Sequence, residues 1–296
     1  MPRIDLKKFQ EYLGDGRVKR QSHDALPLLI WSYTEHTQYK SLWDDITLQA
    51  RGLIADTEGH IVARAFNKFF NDDERRHKPT DDWVMYEKLD GSLGILFHYR
   101  EAWMIASRGS FHSPQAERAL QLLSKYSTEH LDTDRSYIFE IIYPENRIVV
   151  DYGEQEALVY LATFTKDGQE SFDEDLMRGS GFPVVKTLTH NDYTTFKALD
   201  TSNQEGAVVR FSNGQRMKLK FLTYLQNHKI VTGLNERSVW EMYLAHSDLS
   251  KHLEDIPDEF HGWVGDIWAK YAGEEAKITA EANLAFEGPT SYTCPD

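Results

Sequence analysis

Between about Ala50 and Lys220, apolar residues recur at every second position in short runs, the period of half-buried strands. Strands are expected at Arg51–Asp56 and His60–Phe66, joined by Thr57-Glu58-Gly59, then at Trp83–Lys88, Leu93–Tyr99 and Trp103–Ser107. Others are expected at Tyr137–Tyr143, Arg147–Asp151, Ala157–Phe164, Gly206–Phe211 and Arg216–Lys220. Lys166-Asp167-Gly168 and Ser212-Asn213-Gly214-Gln215 punctuate the pattern, and Asn-Gly accepts the positive φ angles that two-residue hairpins need. Strands joined by tight turns form antiparallel sheets. Short helices are expected at Asp5–Leu13 and at Pro114–Tyr126, the latter with proline in its first turn.

After Lys220 the period lengthens. Phe260, Trp263, Val264, Ile267, Trp268 and Tyr271 follow the i, i+3, i+4, i+7 spacing of an apolar helical stripe, and Val239, Met242, Tyr243, Leu249 and Leu253 do so less cleanly. A helical module starting near Phe221 is expected, its aromatics serving as core rather than as a ligand box.

Composition narrows the classes. With 296 residues, 41% hydrophobic and 12% aromatic, the chain can bury a sizeable core in one large or two smaller domains, so overall disorder is excluded. The longest apolar runs, Leu26–Trp31 and Tyr137–Tyr143, fall far short of the roughly 18–20 residues that span a membrane. The first ten residues are charged and carry no apolar signal core. A single cysteine, Cys294, excludes an intrachain disulfide and a cysteine-based zinc site. A soluble cytoplasmic protein without a membrane partner is expected. The formal charge of −14 argues against nonspecific coating of nucleic acid, which is driven by counterion release from phosphates. From Glu241 onward there are 12 acidic and 3 basic residues, so most of the excess acid reads as the solvated surface of the helical region.

Three segments carry candidate chemistry. In Tyr86-Glu87-Lys88-Leu89-Asp90-Gly91-Ser92 a lysine ends a strand before a tight Asp-Gly turn, and alternation places Lys88 on one face with Val84 and Tyr86. A lysine desolvated beside apolar neighbours is a nucleophile, whereas a snorkelling lysine on an ordinary hairpin is inert. In Arg216-Met217-Lys218-Leu219-Lys220 three cations share one strand face at about 7 Å intervals, which suits an anion and would lower the pKa of a nearby lysine; a solvated face is the alternative. Glu140 interrupts the apolar face of Ile138 and Ile142, and Glu205 opens a strand just before Gly206, which permits close backbone approach. Carboxylates there suit ribose hydroxyls or Mg²⁺, or else a structural ion pair with an arginine. Upstream, Arg51-Gly52 starts a strand, and Phe69-Phe70 either stacks a base or fills the core.

The order of these segments resembles the covalent nucleotidyltransferase superfamily of ATP-dependent ligases and capping enzymes, and more closely the phage-type RNA ligase 1 family. The residues that carry the resemblance are Trp31-Ser32-Tyr33, Arg51-Gly52-Leu53-Ile54, Asn67-Lys68-Phe69-Phe70-Asn71, Lys88-Leu89-Asp90-Gly91-Ser92 and Ser107-Arg108-Gly109-Ser110. They continue through Phe139-Glu140-Ile141-Ile142-Tyr143-Pro144-Glu145-Asn146-Arg147-Ile148-Val149-Val150, Glu205-Gly206 and Lys218-Leu219-Lys220, about two-thirds of the chain.

The resemblance implies an α+β protein: an ATP-grasp-like nucleotidyltransferase domain of two antiparallel sheets over residues 1–225, then a small all-α domain over 226–296. It implies ATP with Mg²⁺ or Mn²⁺ as cofactors, and a Lys88 that takes AMP covalently and passes it to an RNA 5′-phosphate before a 3′-hydroxyl seals the strand. Tyr33, Arg51, Lys68, Phe70, Glu140, Glu205, Lys218 and Lys220 match nucleotide-binding positions, and Arg108 a position at the phosphate or RNA end. Asp90 and Gly91 would orient the nucleophile, while Glu205 and Asp248 match metal-linked carboxylates. Arginine stands at 108 where the family form is Ser-Lys-Gly-Ser, which keeps the charge and changes the geometry. The helical tail is similar to a shortened form of the domain that helps larger members select tRNA. RNA ends, including a nicked tRNA anticodon loop, are the implied partners. The chain shows no phosphate-loop kinase motif, so a separate end-healing kinase or phosphatase is expected. The alternatives are a DNA ligase or capping-type enzyme, which would append a β-barrel rather than helices, and a noncatalytic binder of RNA ends or nucleotide.

Overall fold

A computed structural model describes residues 1–74, 81–190, 192–199, 201, 203–245, 248–253, 256 and 258–286. The chain divides into two compact units, residues 1–231 and 232 onward.

Among the described residues the first unit holds fourteen strands. They are β1 (Val18–Ser22), β2 (Leu28–Tyr33), β3 (Arg51–Asp56), β4 (Ile61–Ala63), β5 (Phe70–Asn71), β6 (Trp83–Lys88) and β7 (Ser92–Tyr99). They continue as β8 (Ala102–Ser107), β9 (Arg135–Ile142), β10 (Ala157–Thr165), β11 (Glu170–Ser171), β12 (Thr187–Leu188), β13 (Gly206–Phe211) and β14 (Arg216–Lys220). The α+β architecture with antiparallel sheets matches expectation, but the strands form three sheets rather than two: β1-β2-β3-β4, β11-β10-β9-β7-β8 and β12-β6-β13-β14-β5. The first sheet arises because β2 is buried along its whole length and pairs on both sides, with β1 and β3. One pairing, β14 with β5, is parallel.

Each sheet face is covered according to its alternation. Leu28, Ile30 and Ile54 of the first sheet pack on Ile95, Phe97, Ile138 and Phe164 of the second. The outer face of the first sheet buries Trp31 and Leu53 against Phe9 of the helix Leu6–Gly14, whose N-cap Asp5 accepts from Lys8 N–H at 3.1 Å. The outer face of the second sheet is covered by Ala119 and Leu122 of the helix Pro114–Leu123, capped by Ser113. In the third sheet Ala207, Val209, Phe211, Met217 and Leu219 point into a core shared with Phe221 and Tyr224, the valine, leucine, methionine and phenylalanine side chains contributing roughly 1.5–3 kcal/mol each. The intervening positions Val208, Arg210, Arg216, Lys218 and Lys220 therefore share the opposite, half-exposed face.

Two expected strands differ. His60–Phe66 is a strand only over Ile61–Ala63, and Arg147–Asp151 is coil. In that coil the Val149 and Val150 amides donate to the Asp90 carboxylate, so a side chain takes the place of a strand partner.

The second unit contains the helices Glu236–Leu244, Leu249–His252 and Asp258–Phe286. Val239, Val264 and Ile267 are buried, and Trp240, Tyr243, Trp268 and Tyr271 form an aromatic cluster in which Trp240 stacks on Tyr243 and Trp268 and Tyr271 meet that pair edge-on. Cys294 and Ser247 lie outside the described residues. No described helix is long and apolar enough to cross a membrane.

Candidate active site

Strand register explains how the central group forms. Gly206 of β13 faces Lys88 of β6 on one side and Lys220 of β14 on the other. Glu205, one residue earlier and 3% exposed, therefore reaches both ammoniums: Lys88 Nζ lies 2.7 Å from Oε2 and Lys220 Nζ 3.0 Å from Oε1. The three strands approach closely at this point because residue 206 has no side chain. At its φ of +146° a Cβ would fall 1.9 Å from the Leu219 carbonyl oxygen.

This arrangement corrects two sequence expectations. Lys88 does not end among apolar side chains but on a carboxylate. Nor do three like charges stand unopposed on β14. Arg216 pairs with Glu170, which also takes Arg210 at 2.9 Å, while Lys220 pairs with Glu205.

The turn after Lys88 is fixed from four directions. Asp90 Oδ2 accepts the Val149 and Val150 amides at 2.8 Å each, Oδ1 accepts the Tyr224 hydroxyl at 2.7 Å, and Asp90 N–H donates to the Tyr152 hydroxyl at 2.8 Å. The Gly91 N–H donates to Glu140 Oε1 at 3.1 Å. Burial pushes the Glu140 carboxyl up to about 7; Lys88 pulls it back down, while Glu205 and Asp90 add to the rise. Asn146 ties the same corner together, accepting from Ser92 Oγ at 3.1 Å and donating to the Ile141 carbonyl at 3.0 Å.

A second group of cations and rings is built on the first sheet and the segment that leads to β5. Lys68, 5% exposed, sits 5.3 Å from the ring centroids of Tyr33 and Trp43 and 5.5 Å from that of Phe70. Trp43 meets both other rings edge-on, at 5.0 and 5.3 Å. Arg108 donates to the Tyr33 hydroxyl at 3.4 Å. Arg51 and Lys218 both lie against the Phe69 ring, at 5.5 and 5.7 Å, linking this group to β14.

The sequence-predicted residues thus fall into two groups: Lys88, Asp90, Gly91, Glu140, Glu205 and Lys220 around one carboxylate pair, and Tyr33, Arg51, Lys68, Phe70 and Arg108 with Lys218 beside it. Asp248 belongs to the second unit, where it is exposed just ahead of Leu249–His252. Tyr224, Tyr152 and Trp43 were not singled out from sequence. Their apolar bodies fit a core pattern, and nothing local marks a buried hydroxyl's partner more than sixty residues away.

The strand-end lysine, the lysine pair on a neighbouring strand and the two glutamates thus belong to one unit of the chain, whose fold is shared with solved ligases. The backbone is similar to that of an ATP-dependent DNA ligase chain from Aquifex aeolicus, with a TM-score of 0.53 and 17% identity over 95% of this chain and 75% of that one. It is also similar to an archaeal ATP-dependent RNA ligase, with a TM-score of 0.52 and 15% identity over 81% of this chain and 65% of that one. The chain belongs to the RNA ligase family, whose model matches residues 49–228. A relative from Autographa californica nuclear polyhedrosis virus, named as a bifunctional polynucleotide kinase/RNA ligase, is 28% identical over 73% of this chain and 37% of its own length. The chain spans about half or less of the length of the curated relatives that it matches.

Proposed function

We propose that the protein is an ATP-dependent RNA ligase that joins 5′-phosphate and 3′-hydroxyl ends through lysyl-AMP and an adenylylated RNA end. The observation that carries this reading is the grip of Lys88 and Lys220 on the two oxygens of Glu205, beside Glu140 at the Gly91 amide. Lys88 Nζ gives up a proton toward Glu205 and forms a bond to the α-phosphorus of ATP as the bond to the bridging oxygen breaks and pyrophosphate leaves. Lys218 and Lys220 neutralise the non-bridging oxygens, the main service that phosphoryl transfer asks of a protein. An oxygen of the RNA 5′-phosphate then displaces Lys88 from the AMP phosphorus. The 3′-hydroxyl finally attacks the RNA 5′-phosphorus and releases AMP. Glu140 accepts from a ribose hydroxyl, and Tyr33, Arg51, Lys68, Phe70 and Arg108 hold the outer phosphates or the RNA end.

Among the described residues no group of three or more His, Cys, Asp or Glu side chains is preformed for a metal. The donor set therefore fits Mg²⁺ or Mn²⁺ held largely by nucleotide phosphates with one carboxylate, Glu205 or Glu140, the usual mode for Mg²⁺ at phosphates. When bound, the ion supplies charge neutralisation at the phosphates. Asp248 is retained as a further candidate ligand.

The substrate is broken RNA such as a tRNA nicked in its anticodon loop, with ends healed by a kinase and phosphatase activity. The combined kinase/ligase name of the viral relative supports that pairing. In this reading residues 1–225 carry the chemistry and 226–296 form a helical accessory domain. The test is sealing of 5′-phosphorylated RNA with ATP and Mg²⁺, with matched DNA alongside. Circular or joined RNA without joined DNA is expected. Equal sealing of DNA overturns the RNA assignment.

A further inference from the structure

A cavity of about 580 Å³ opens within the first unit between the segment Arg64–Phe70, the β13–β14 hairpin and the turn after β10. Its charged lining comprises Arg64, Lys68, Arg210 and Arg216 against one carboxylate, Glu170, on a chain whose net charge is −14. Arg216 precedes Lys220 by four residues on the same strand face, so the cavity begins about 13 Å along β14 from the Lys88–Glu205–Lys220 group.

Two features of the lining go beyond structural pairing. Arg210 and Arg216 share Glu170, but Arg64 Nε is buried without a hydrogen-bond partner. Burial pulls the Arg64 guanidinium below its ordinary pKa, opposed by Asp167. Arg64 packs against Gly168, whose φ of +97° favours glycine and whose missing Cβ leaves room for Nη1. Arg64 is partly exposed, but a buried Nε–H with no acceptor is costly and is relieved when an anion arrives. The second feature is aromatic: the Arg216 guanidinium lies 4.4 Å from the Phe66 centroid, and Phe69, half-buried, lines the same space. Cations interleaved with rings match the chemistry of single-stranded nucleic acid, phosphates on the cations and bases on the rings.

We infer that this cavity binds a nucleotide of the single-stranded RNA substrate away from the reacting end, with Arg64 taking a phosphate oxygen and Phe69 offering a stacking surface. The inference rests on the ligase reading for its substrate class. Its test separates the two.

Binding of a fluorescent 5′-phosphorylated RNA of about 12 nucleotides is measured by anisotropy, which requires no chemistry, for wild type, Arg64→Gln and Ser212→Glu. Ser212 is exposed on the hairpin turn that lines the cavity, so its substitution tests the site without disturbing the core. Both variants are expected to weaken RNA binding roughly tenfold, to leave a 5′-phosphorylated dinucleotide unaffected, and to keep the wild-type rate and ATP dependence of lysyl-AMP formation. Unchanged RNA affinity in both variants overturns the inference. So does a raised KM for ATP, which would make the cavity part of the ATP site. Loss of lysyl-AMP formation in wild type itself instead overturns the ligase reading.

Discussion

The Lys88 ammonium lies 2.7 Å from the carboxylate of Glu205, a residue 117 positions later in the chain, and Gly206 next to Glu205 stands in register with Lys88. A strand pairing thus places the proposed nucleophile on its proposed proton acceptor. The second oxygen of Glu205 is taken by Lys220, so one buried carboxylate holds two cations.

Glu205→Gln should therefore weaken the fold as well as the chemistry. It leaves two lysine side chains, only 20% and 11% exposed, without their counter-charge. The expected cost is about 3 kcal/mol, read from denaturant unfolding, together with loss of adenylylation. A variant as stable as wild type would mean that the pair contributes little net stability.

Glu140 makes stability depend on pH. Its carboxyl, raised to about 7 in the folded protein from an ordinary value of 4.5, holds its proton more tightly folded than unfolded. The associated stability is present below about pH 4.5 and is lost as pH rises through 7, by up to about 3 kcal/mol. Glu140→Gln removes this dependence while keeping an acceptor for the Gly91 N–H. The variant should gain in Tm relative to wild type between pH 5 and pH 8, and parallel profiles would contradict the assignment.

Tyr224→Phe removes the hydroxyl that donates to Asp90 Oδ1 at 2.7 Å in a buried setting. Loss of a hydrogen bond to a buried charge should cost about 1.5–3 kcal/mol in unfolding free energy. The Lys88 turn keeps its Val149 and Val150 amides, so the variant should fold and adenylylate more slowly. An unaltered rate and stability would show that the turn is held without Tyr224.

The strands that carry Lys88, Lys218 and Lys220 are legible from period-2 alternation and turn chemistry, and β6, β13 and β14 end where the pattern predicts. Glu140 is legible as a charge on an apolar face. What alternation does not encode is partnership across the chain. Arg147–Asp151 has the composition of a strand but gives its Val149 and Val150 amides to Asp90, and Arg216 shares the β14 face yet is claimed by Glu170 from another sheet. Trp43, Tyr152 and Tyr224 read as core because their apolar bodies dominate the pattern. The separate sheet β1-β2-β3-β4 escapes notice because β1, Val18–Ser22, is mostly exposed and polar.

The most direct test is incubation with α-labelled ATP and Mg²⁺, followed by a denaturing gel of wild type and Lys88→Ala. Label that stays on the wild-type chain and is absent from a folded Lys88→Ala is the predicted result. Label on both chains, or on neither when the wild type starts free of AMP, would contradict the assignment of Lys88 as the nucleophile.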